Sequence, residues 1–124
     1  MKPRRKWGAV FKHALEGVFA SFKTQRNLRV HGVAAVLVTV AALVFRLPAR
    51  DIAVLMLVIA LVISLELMNT AIEATVDLVT PEWHKLAKMA KDAAAGAVLV
   101  AAVFAVIIGL LLFYEPILHW LGFT

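Results

Sequence analysis

The stretch IAVLMLVIALVISLELMNTAIEATVD, residues 52–77, is apolar from Ile52 through Leu65 and then turns acidic without a break. A helix crosses a bilayer in about 20 residues, so the apolar part is long enough to do so. Its second half sets Glu66, Asn69, Glu73 and Asp77 at steps of three and four residues, which places them on one helical face. A carboxylate next to hydrocarbon is costly, and a row of them marks a functional site. A further acid, Asp92, follows Lys91 at the mouth of the next apolar run.

Working outward, two more stretches reach bilayer length. One runs from about Leu28 to Leu47, and the other from about Ala93 to Tyr114, with apolar residues continuing to Leu118. The middle span covers about Ile52 to Ile72. The chain has 124 residues, 63% of them hydrophobic, and a mean hydropathy of +0.90. A soluble domain of this size could not cover so much apolar surface with so few charges. The expected fold is therefore an all-α membrane protein, one integral-membrane domain over residues 1–124. It has three transmembrane helices and an N-terminal amphipathic surface helix. The absence of cysteine excludes disulfides, cysteine-ligated zinc and thiol catalysis.

The surface helix is read from residues 7–24. Trp7, Phe11, Ala14, Leu15, Val18, Phe19 and Phe22 recur at helical spacing, with Lys12, His13, Glu16 and Lys23 on the other side. This pattern suits a helix lying in the headgroup layer. A soluble helix capping the bundle is the plainer alternative, and both can hold. Lys2, Arg4, Arg5 and Lys6 precede it, but no uninterrupted apolar core follows them, so a cleavable signal is not expected.

Lysine and arginine set the orientation. Eight lie before residue 30, at Lys2, Arg4, Arg5, Lys6, Lys12, Lys23, Arg26 and Arg29. Lys85, Lys88 and Lys91 lie between spans two and three, and Arg46 and Arg50 sit around the opposite turn. The positive-inside rule then expects the N-terminus and the second loop in the cytoplasm. Pro48 is expected to end the first helix, with a short connection making spans one and two an antiparallel hairpin. The net charge of +5 fits this topology and anionic lipid better than nucleic acid, for which no supporting motif exists.

This topology puts Glu66 at the inner edge of the hydrocarbon, with Asn69, Glu73 and Asp77 stepping out toward water. A membrane-dissolved substrate and a charged cytosolic one can meet at such a place. Glu66 suits removal of a proton from a lipid hydroxyl. Glu73 suits a hard cation such as magnesium, which prefers oxygen. Lys91 can neutralise phosphate, and Asn69 can orient a hydroxyl or a phosphate. Charges at helix ends also serve simply to meet water, and that is the preferred reading for Asp77, Glu82, Lys85 and Lys88. Glu66 and Asn69 lie too deep for it. Neither a GxxxxGK[ST] loop nor the protein-kinase signatures occur. His13, His31, His84 and His119 show no metal-ligand spacing. His84 lies with the basic loop, within reach of a nucleotide there.

The strings ELMNTAIEATVD (66–77) and AKMAKDAAAGAVL (87–99) resemble the signature of the prokaryotic diacylglycerol kinase family, which includes undecaprenol kinases. The resemblance covers nearly the whole chain. RNLRVH (26–31) and VIIGLLLFYEP (106–116) look more like the undecaprenol kinase branch. It implies a homotrimeric bacterial inner-membrane kinase using ATP and Mg2+, with sites shared between neighbouring subunits and a lipid alcohol as acceptor. Undecaprenol is the first choice of acceptor and diacylglycerol the second. By motif, Glu66 matches the general base, Asn69 a polar partner and Glu73 a metal-binding carboxylate. Lys91 and Asp92 match a nucleotide-contacting pair, and Glu82 and His84 fall in the loop nearby. One position departs from the pattern. Gln25, in TQRNLRVH, stands where the family has a glutamate that shares the metal with the Glu73 counterpart. An amide oxygen ligates magnesium without charge, which lowers affinity. Two rival readings are a small proton-coupled transporter carrying its proton on Glu66, and a non-catalytic helper of the same fold. A transporter's site belongs near the bilayer middle and has no use for the Lys91–Asp92 pair.

Overall fold

The computed structural model describes Arg4 and residues 6–123. Lys2 and Arg5 of the N-terminal basic cluster lie outside the described residues. Four helices follow one another, α1 over Trp7–Thr24, α2 over Arg26–Val44, α3 over Ala49–Val79 and α4 over Lys85–Trp120. The protein is all-α, and α2, α3 and α4 are each long and apolar enough to cross a membrane.

At about 1.5 Å of rise per residue, the 31 residues of α3 and 36 of α4 extend about 46 and 54 Å. Both outrun a hydrocarbon layer of about 30 Å. The acidic half of α3 and the first turns of α4 therefore emerge together at one end. There is little hydrophobic drive between helices in lipid, so contact depends on small residues that let backbones approach. The α3–α4 seam follows that rule, with Ala94, Val98 and Ala101 of α4 buried along with Leu55 and Val62 of α3. At the other end Ala42, Leu47 and Leu55 form a buried knot. Phe45 stands edge-on to Phe113 and Trp120 there, at centroid distances of 6.2 and 6.1 Å.

The α2–α3 turn corrects one expectation. Pro48 does not end α2. The helix stops at Val44, where Leu47 N–H bonds Ala42 O at 3.0 Å and Arg46 N–H bonds Leu43 O at 3.2 Å. These two bonds make a Schellman motif, which needs one left-handed residue, usually glycine. Arg46 fills that place at a φ of 56°, and Leu47 is the buried apolar residue that closes the motif. Pro48 instead caps the start of α3, its carbonyl accepting from Asp51 and Ile52 N–H.

At the other end, α1 meets α2 at an elbow on Gln25, whose backbone is extended. The Arg29 guanidinium donates to Phe22 O at 3.0 Å and Lys23 O at 2.7 Å, satisfying carbonyls that a helix end leaves free. Phe22 also packs so tightly on Gly32 that a Cβ there would lie 2.9 Å from its ring. Trp7, Phe11, Leu15 and Phe19 of α1 stay exposed, an apolar face that the rest of the chain does not cover.

Candidate active site

Burial falls steadily along the polar face of α3. Glu66 is 3% exposed and is the one buried charged residue among those described. Asn69 and Glu73 are half-buried, and Asp77 is exposed. Helical rise separates Glu66 from Asp77 by roughly 16 Å, so a single element carries the row from a dry environment to a wet one.

The dry end is built by three helices. Glu66 Oε1 lies 3.2 Å from Nε2 of His31 on α2. Below the pair runs an apolar cavity of about 780 Å³, open to one side, between α2, α3 and α4. His31, Val38, Val62, Ala105 and Gly109 are among its walls. The sequence drew attention to His31 only as one of four histidines without metal spacing, and missed its pairing with Glu66. An imidazole at the point where α2 turns from polar to apolar residues was the available signal.

One turn along, Asn69 Nδ2 donates to Glu73 Oε1 at 3.5 Å. The Asn69 Oδ1 atom is buried and has no hydrogen-bond partner, although a buried polar atom is ordinarily satisfied. An unpartnered amide oxygen beside a carboxylate is the donor chemistry of a hard cation. Among the described residues, no group of three or more His, Asp and Glu side chains gathers as a complete metal set. Gln25 is half-buried at the elbow and makes no hydrogen bond to Glu73.

The wet end is a cleft of about 240 Å³ between the end of α3, the connecting loop and the first turns of α4. It gathers four residues singled out from sequence, Glu82, His84, Lys91 and Asp92, and adds Asp77, Thr80 and Lys88. His84 caps α4, its Nδ1 accepting from Leu86 N–H at 3.0 Å, so the loop is anchored and the helix N-terminus opens at the cleft. Lys91 reaches back across the seam to Asp77, and Lys88 pairs with Asp92. Asp77 and Lys91 thus tie the end of α3 to the start of α4.

The family model of the prokaryotic diacylglycerol kinases matches residues 12–113. A diacylglycerol kinase from Synechocystis sp. is 51% identical over 109 residues, 87% of this chain and 62% of that protein. An undecaprenol kinase from Bacillus subtilis is 48% identical over 103 residues, 83% of this chain and 84% of its own length. The diacylglycerol kinase of Escherichia coli is 36% identical over 95 residues, 77% of this chain. The chain spans less than two thirds of the Synechocystis protein but most of the other two. With matches over this much of its length, the chain belongs to the prokaryotic diacylglycerol kinases, a family of membrane lipid kinases.

Proposed function

We propose that the chain moves the terminal phosphate of ATP to the hydroxyl of a membrane lipid alcohol, undecaprenol first and diacylglycerol second. The observation that carries the reading is the order of features along α3. An apolar cavity, a buried carboxylate, an oxygen-rich step and a charged cleft follow one another on a single helix.

In this reading the acceptor's hydrocarbon lies in the cavity and its hydroxyl meets Glu66. The carboxylate takes the hydroxyl proton as that oxygen attacks the terminal phosphorus, and the bond to the departing ADP oxygen breaks. Phosphoryl transfer asks a protein mainly for positioning and charge neutralisation. Lys91, freed from Asp77, meets the phosphates, and the α4 N-terminus adds backbone donors facing an anion. Asp92, Glu82 and His84 line the rest of the nucleotide's cleft. Glu73, Asn69 Oδ1 and Gln25 are the oxygen donors for Mg2+, which when bound neutralises phosphate charge. A protein usually gives magnesium only one or two carboxylates, with water and phosphate completing the set, so this modest donor group fits.

The working assembly in this reading is a homotrimer with sites shared between neighbours. The protein sits in the bacterial cell membrane with its N-terminus and the 80–84 loop cytoplasmic, where lysine and arginine concentrate. The test is transfer from labelled ATP by purified protein, with undecaprenol and diacylglycerol offered side by side. Label on neither lipid ends the proposal, and label mainly on diacylglycerol reverses the order of acceptors. Proton-gradient-driven uptake without ATP use would favour the transporter.

A further inference from the structure

We propose that His31 is a positioning residue, whose Nε2–H holds one oxygen of Glu66 so that the other faces the mouth of the apolar cavity. The inference rests on the kinase reading and extends it to a residue on a different helix. Three observations carry it. His31 Nε2 and Glu66 Oε1 are 3.2 Å apart. The Glu66 side chain is 4% exposed against 27% for His31, and the imidazole is among the cavity walls. Among the described residues, His31 is the one ion-pair partner within reach of that carboxylate, and no hydrogen bond reaches its oxygens from elsewhere in the chain. The Thr70 hydroxyl goes to the Glu66 backbone carbonyl instead.

The cavity explains why direction matters. Its polar lining residues are His31 and Tyr114, which helix order places toward opposite ends. A hydroxyl on an apolar chain therefore meets a polar partner beside Glu66 and nowhere else until Tyr114. A carboxylate has two oxygens, and a base acts well when a third group fixes which one faces the reacting hydroxyl. The ligand-free contact is loosely aligned, and such contacts tighten once substrate arrives.

The experiment compares His31→Gln with His31→Met in full-length protein. The two side chains are nearly the same size, and glutamine alone keeps an N–H donor. Both are matched to wild type by thermal unfolding and elution volume, then assayed with labelled ATP and undecaprenol. Loss of one donor to a charged group predicts a kcat about 10- to 100-fold lower for His31→Met. His31→Gln should stay within about threefold of wild type, and KM for ATP should hold within about twofold in both. Adding His31→Met to Glu66→Gln should cause no further loss, since the histidine acts through that carboxylate. Equal kcat for the two His31 variants, a change in ATP KM alone, or an additive double variant overturns the inference. If His31→Met does not fold, His31→Asn against His31→Leu asks the same question. Wild type that labels no lipid overturns the kinase reading and this inference together. Wild type that labels lipid while His31→Met keeps full kcat overturns the inference alone.

Discussion

The apolar cavity and the charged cleft share the same two walls, α3 and α4, yet differ in almost every physical property. The first is about 780 Å³, lined mainly by alanine, valine, leucine and isoleucine, with His31 at its inner end. The second is about 240 Å³ and is edged by Asp77, Glu82, Lys88, Lys91 and Asp92. One helix pair changes from lipid solvent to water solvent along its length. The difference teaches that, in the proposed reading, the fold separates a lipid from a nucleotide by depth rather than by domain. Glu66 stands at the changeover, and each half can be perturbed without the other.

The severest break in the comparison removes the changeover itself. Glu66→Gln should lower kcat about 10²- to 10⁴-fold, the usual worth of a positioned base. Thermal unfolding should stay near wild type, since the amide preserves shape. Near-normal turnover would show that the carboxylate is not the base.

Next comes the wet half alone. Lys91→Ala should raise KM for ATP about 10- to 100-fold, the cost of losing one charged contact to phosphate. KM for lipid should stay level, and an equal rise in both would mean that the two cavities are not separate. The dry half is tested by Gly109→Leu. A Cβ at Gly109 meets nothing within 4 Å and the residue lines the cavity, so the larger side chain takes up cavity space. Lipid KM should rise about tenfold, in the range of overpacking effects, with ATP KM unchanged. Unaltered lipid kinetics would place the acceptor's hydrocarbon elsewhere.

The smallest expected effect lies at the elbow. Gln25→Glu supplies the missing negative charge and should lower the magnesium concentration for half-maximal rate by about three- to tenfold. An identical magnesium titration would remove Gln25 from the donor set.

Much of this architecture was legible in the residues. Three apolar runs of bilayer length announce three spans. Spacing alone puts Glu66, Asn69, Glu73 and Asp77 on one face, because helical geometry is local. The His31–Glu66 contact was not legible, since it joins residues 35 positions apart and depends on how α2 is rotated against α3. The α2–α3 turn was misread for a different reason. Proline is the familiar helix stop, whereas the structure uses Arg46 in a left-handed conformation that arginine seldom adopts. Lys91 was singled out for phosphate, but nothing in its own stretch pointed to Asp77, 14 residues back across a loop. The orphaned Asn69 Oδ1 is likewise invisible without packing, because burial is a property of neighbours.

Arg29 bridges the last carbonyls of α1 from the first turn of α2, and Phe22 is pressed against Gly32. The two helices are thereby tied together across the bend at Gln25. A bilayer that thins or thickens would tip surface helix and span together, carrying Gln25 with them. Membrane thickness would then be felt at the elbow residue itself.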